Sequence, residues 1–164
     1  MPERFTFLIA LLALLVAGLV LWRTLFPTPT LEPEPMEHEE EQGSVAPYMA
    51  DLQRYAEKLY HAGANENWEL AHFYSHELEE AAEAIERGGY VEEDQPLAPL
   101  VERWLVPAVA RTETAAESND RAAFDAAYTE LVAACNTCHT ATEHAFVRIT
   151  VPDANSFTNQ DFTP

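Results

Sequence analysis

From Val45 to Thr142 the apolar residues return every three or four positions, the period that gathers them on one side of an α-helix. Val45, Met49, Leu52, Ala56 and Leu59 form a first stripe, with Ala62-Gly63 as its expected end because glycine takes the left-handed cap conformation freely. Trp68, Ala71, Ser75, Leu78, Ala82 and Ile85 form a second, opened by Asn65 or Asn67 as cap and closed by Gly88-Gly89. A third helix is expected after Pro96, with Leu97, Leu100 or Val101, Trp104, Ala108 and Thr112 inward. Pro107 removes a backbone donor within it and predicts a kink. Ser118-Asn119-Asp120 reads as a turn and cap before a fourth stripe of Phe124, Ala127, Leu131, Cys135, Cys138 and Thr142. No strand pattern interrupts these runs. Helices with short joints predict an all-α fold, an antiparallel four-helix bundle over residues 45–146.

The flanking segments read differently. Phe5 to Trp22 carries no charge and is almost wholly apolar, about the length of a membrane-spanning helix. It is a membrane span or a signal peptide. The run is longer than a usual signal core, and a cut at Ala17-Gly18 would leave Leu15 where a small residue belongs. An uncleaved anchor over residues 1–26 is therefore expected, with Arg4 and the amino terminus on the cytoplasmic side. Residues 27–44 are rich in proline and glutamate and too poor in apolar groups to fold, so they predict an extended tether. Residues 147–164 form a tail, in which Val147 to Pro152 alternates and could run extended across the bundle, with Phe157 and Phe162 as anchors.

Charge narrows the partners. The 28 acidic and 9 basic residues leave a formal net charge of −19, which argues against nucleic acid because phosphate binding needs a basic patch. A protein partner would present a basic docking surface, unless the acidity serves solubility alone.

Chemistry concentrates in Cys135-Asn136-Thr137-Cys138-His139. Cys-x-x-Cys-His is the pattern that attaches haem c through two thioethers and ligates its iron. On a helix, positions three and four apart share a face, so both sulfurs and the imidazole turn the same way. A zinc site would require a second Cys or His pair, and His144, five residues past His139, falls off that face. A thioredoxin-like dithiol would need a βαβ setting, whereas the surroundings are Ala-rich and helical. The chain has 2 cysteines, and the motif uses both.

With this motif near the end of a fourth helix, residues 45–145 resemble the class II cytochromes c, the cytochrome c prime family. The resemblance implies Cys135 and Cys138 as haem attachment positions and His139 as the proximal iron ligand. It also implies a distal position on the first helix, which low-spin members fill with methionine; Met49, early on the first stripe, matches it. The bland reading makes Met49 core filler. His72 is a less favoured distal candidate; His76 points more outward, and His61 suits a helix C-terminus. Met36, in the tether, is too loosely held for a ligand. Arg148 is placed to pair with a haem propionate, and Phe157 and Phe162 are expected to anchor the tail over a haem edge. Thr140-Ala141-Thr142-Glu143 departs from the more basic continuation usual in the family, and the tail runs past its usual end. The expected function is a membrane-anchored monohaem c-type cytochrome, its haem domain on the periplasmic side of the inner membrane, passing single electrons between redox partner proteins. The alternative is a five-coordinate haem protein that binds or senses NO or CO. An electron carrier, not an enzyme, is expected.

Overall fold

The computed structural model describes Trp22 and residues 43–164. The chain divides into two units, residues 1–39 and 40–164. Residues 27–42 of the expected tether over residues 27–44, and all but Trp22 of the expected membrane span, lie outside the described residues. Among the described residues, no helix is long and apolar enough to cross a membrane.

In the second unit the apolar periods become four helices: α1 (Ala46–Ala64), α2 (Trp68–Gly88), α3, which runs unbroken through Ala98–Leu100, Val101–Leu105 and Val106–Glu117, and α4 (Arg121–Ala141). The domain is all-α apart from one small hairpin. Its ends follow local chemistry. The Asn67 side chain accepts from the Leu70 amide at the start of α2, and Asp120 accepts from the Ala123 amide at the start of α4. Gly89, at φ 65°, closes α2 in the left-handed conformation. Consecutive helices pack on one another, and α1 also meets α4. The shared core is built from Leu59, Leu78, Ile85, Leu97, Val109, Phe124 and Leu131 among others.

Four details differ from the sequence pattern. First, Val91–Glu92 and Gln95–Pro96 pair as a two-residue antiparallel ladder, β1 and β2. Glu93 and Asp94 between them both have positive φ, the two-residue turn that suits strand twist. A ladder this short leaves no alternating pattern to read.

Second, the expected bend at Pro107 takes the form of a π turn over Val101–Leu105. Proline at 107 lacks an amide hydrogen and its ring crowds the carbonyl four residues back; widening the preceding turn accommodates both. From Val101, helical spacing admits either Trp104 or Leu105 as the next inward residue, and beyond the turn Ala108 and Thr112 are buried as expected. Within the turn Leu105 is buried, and Trp104, expected inward, is only half-buried.

Third, Gly63 is not the terminator of α1. The helix runs on to Ala64, and Asn65 caps it. A Cβ on Gly63 would sit 2.2 Å from the Phe124 ring, so glycine is there to let α4 approach α1.

Fourth, the tail, expected to cross the bundle, is seated on both α1 and α2. Ser156 donates to Glu57, Gln160 Nε2 donates to the Tyr74 hydroxyl at 2.6 Å, and Asn67 Nδ2 donates to the Thr163 carbonyl at 3.0 Å. Phe162 is buried against the His61 ring, with centroids 5.4 Å apart, and Lys58 lies over Phe157 at 4.8 Å.

Candidate functional site

The motif occupies the last two turns of α4, where the helix is closed by backbone geometry rather than by glycine. Glu143 takes φ 62°, and the His144 amide reaches back to the His139 carbonyl at 2.6 Å while the Glu143 amide reaches Thr140 at 3.4 Å. This doubled closure is the Schellman arrangement. Thr142, the last residue of the expected stripe, is buried at the cap just past the helix end, and its hydroxyl donates to the Cys138 carbonyl at 3.1 Å. The chain then turns back over the end of α4.

Between these elements lies a cavity of about 500 Å³. That volume falls within the range of small-molecule and cofactor sites. One wall is α4, with Tyr128, Ala134, Cys135, Cys138 and His139. The facing wall is the first half of α1, with Met49, Leu52, Ala56 and Glu57. Val101 and Leu105 of the π turn close a third side, and tail residues 147–150 and 152–154 form the fourth. Met49, Cys135, Cys138 and His139, singled out from the sequence, thus line one cavity. It is largely apolar, and small side chains such as Ala56 and Ala134 leave it room.

His72 does not line it. Its side chain is more than half exposed on α2, and its Nδ1 is 3.3 Å from Glu113 Oε1. With Glu113 and Glu117 it brings one donor atom from each residue to within 4.8 Å of the others, on the outer surface. His76 is exposed beside Glu79 and Glu80. His61 lies in the last turn of α1, as its sequence position suggested, but is buried there, and Phe157 and Phe162 anchor the tail away from the cavity rather than over it.

His139 is held in one tautomer. Its Nδ1 is 2.7 Å from the Val147 carbonyl oxygen, and a carbonyl only accepts, so Nδ1 carries the hydrogen. In the neutral ring, Nε2 then keeps its lone pair for a metal. Metal-bound histidines commonly show this arrangement, with the second nitrogen held by a carbonyl. Tyr128, buried in the cavity wall, donates its hydroxyl to the Ala56 carbonyl at 2.9 Å and so ties α4 to α1. Burial raises its pKa. Arg148 lines the cavity and forms no ion pair among the described residues.

Both sulfurs are free thiols. Burial pushes the Cys135 thiol up to about 11, with Cys138 nearby adding to the effect, and burial also raises Cys138. Below pH 9 a free Cys135 is protonated whether the chain is folded or not. Between pH 9 and about 11 the unfolded chain loses that proton first, so folding stability falls as pH rises through this window. In the chain with free thiols, urea melts are expected to show about 1–3 kcal/mol lost across that window, from roughly 1.4 kcal/mol per unit. The loss should be smaller in Cys135→Ser, and equal losses in the two chains would refute it.

Tyr128 was within reach of the sequence pattern, since it lies four residues after Phe124 on the same stripe. The alternation of Val147 to Pro152 suggested an extended run across the bundle, but the bonds that seat it, from Asn136 to Ile149 and from His139 to Val147, leave no pattern along the chain. Comparisons with protein-family models, with curated proteins and with solved structures find no match to this chain, so its function is argued from the cavity and the motif.

Proposed function

We propose that this chain is a monohaem c-type cytochrome of the four-helix class II kind, an antiparallel bundle anchored by its N-terminal segment on the outer side of the cytoplasmic membrane. The observation that carries the reading is the shared cavity wall of Cys135, Cys138 and His139, with the His139 Nδ1–H donated to Val147. The residues fit the group. Two thiols one turn apart suit thioether attachment, the imidazole presents a free Nε2, and the remaining walls are largely apolar. When bound, haem supplies a one-electron couple at its iron.

The chain supplies the rest. Cys135 and Cys138 would hold the cofactor, and His139 and Met49 would be its iron ligands. Thioether with imidazole favours reduced iron and raises the potential, which suits reversible electron transfer. Arg148 is available to a propionate. A net charge of −19 selects a redox partner with a basic docking surface, and the tether over residues 27–44 would let one domain reach both donor and acceptor.

The first test is an optical spectrum of the full chain expressed with c-type maturation, oxidised and reduced, before and after carbon monoxide. A low-spin spectrum with a thioether–iron band and no gas response is expected. Met49→Ala should convert it to a high-spin spectrum that shifts with carbon monoxide. A high-spin, gas-responsive spectrum in the unaltered chain would replace electron transfer by gas binding, and absence of covalent haem would sink both readings.

A further inference from the structure

Asn136 occupies a position that the Cys-x-x-Cys-His pattern leaves open, yet its side chain makes two hydrogen bonds to a single residue of the tail. Nδ2 donates to the Ile149 carbonyl at 2.9 Å, and Oδ1 accepts from the Ile149 amide at 2.8 Å. Both backbone groups of Ile149 are thereby satisfied by one side chain, as a neighbouring strand would satisfy them. Residues 147–149 lie in neither helix nor strand, so their placement depends on contacts of this kind. Two residues before Ile149 is Val147, whose carbonyl takes the His139 Nδ1–H. Asn136 and His139 lie three apart on α4, which puts them on neighbouring positions of its surface.

Resting on the haem reading above, we propose that Asn136 is a positioning residue for the proximal ligand: it clamps the tail at Ile149 so that the Val147 carbonyl stays on the His139 ring. An acceptor fixed on Nδ1–H orients the imidazole and makes Nε2 the stronger electron donor. A stronger donor favours oxidised iron, so the clamp lowers the reduction potential against the raising effect of a thioether. With the clamp gone, Arg148 and Ile149 are released and Val147 keeps only its amide bond to the His144 carbonyl at 2.8 Å, so its own carbonyl is held less firmly on Nδ1–H and the potential rises.

The test compares Asn136→Ala with the unaltered full chain and with Gln160→Ala, which removes the Tyr74 contact at the far end of the tail. Asn136→Ala is expected to keep its covalent haem and to shift the one-electron equilibrium towards reduction by up to about tenfold, or about 59 mV. Amide exchange at Ile149 should accelerate in the same variant. Asn136→Gln, with the same groups on a longer arm, should restore part of the shift, and it serves as the measured variant if the alanine form folds poorly. Gln160→Ala should leave the potential unchanged. An unmoved potential in an Asn136 variant that holds haem overturns the inference alone, and so does an equal shift in Gln160→Ala, which would trace the effect to general loosening of the tail. Absence of covalent haem from the unaltered chain overturns the functional reading and this inference with it.

Discussion

Replacing Cys135 and Cys138 together by serine abolishes covalent retention of haem and leaves the helices in place: this is the expected result, and it isolates the attachment chemistry from the fold. The two sulfurs sit on the α4 wall of the cavity, one turn apart, and neither is engaged in a disulfide. Serine has nearly the same shape but its hydroxyl does not form the thioether. The fold tolerates the exchange because α4 already carries hydroxyls that bond back one turn. Thr129 donates to the Asp125 carbonyl, Thr137 to Ala133 and Thr140 to Asn136, each at 2.8 Å. Serines at 135 and 138 can do the same with the carbonyls four residues earlier, at a cost of about 1 kcal/mol or less each. Haem staining after denaturing electrophoresis reads the attachment, and far-ultraviolet circular dichroism reads the helices. Each single variant keeps one thiol and should still stain. Staining that survives in the double variant with its helicity intact would mean that these cysteines are not the attachment sites.

The site was more legible in the sequence than the fold around it, for a reason that individual residues make plain. Cys135, Cys138 and His139 share a face because helical geometry alone puts them there, and a chain that reverses at short joints brings the start of α1, with Met49, to the end of α4. These are consequences of period and order. Leu105 and Trp104 show where period leaves a choice: they lie four and three residues after Val101, helical spacing admits either, and at the π turn it is Leu105 that is buried. The fourth wall of the cavity was legible only in outline, from the alternation of Val147 to Pro152, and not in the bonds that hold it. Residues 147–154 are held by side-chain bonds such as those of Asn136 to Ile149, and a pairing between one amide side chain and one distant backbone residue leaves no pattern along the chain. His72 was a candidate because it borders an apolar stripe, but bordering a stripe does not distinguish the cavity side of a helix from the surface where it meets Glu113.

Gly63→Ala is expected to destabilise the domain by about 3 kcal/mol, more than a helical glycine ordinarily permits. In an exposed helix interior, glycine to alanine is favourable by roughly 1 kcal/mol, because alanine loses less backbone freedom on folding. Here the new methyl group would meet Phe124 Cε1 and Cζ at 2.2 Å, far inside van der Waals contact. The ring has nowhere to go. Phe124 is fully buried, with Trp68 edge-on at 5.9 Å and Tyr128 stacked at 6.2 Å between centroids. The strain must pass into the backbone and push α1 from α4, and overpacking of this kind costs about 1–3 kcal/mol and sometimes more. Tyr128 transmits the effect to the cavity, because its hydroxyl spans to the Ala56 carbonyl and both residues line the walls. Phe124→Leu in the same chain removes the offending ring atoms, so the double variant should be more stable than the sum of the two single losses by at least about 1 kcal/mol. Denaturant melts of the four chains measure that coupling. If the two losses simply add, α1 and α4 do not meet at Gly63 as closely as the structure has them.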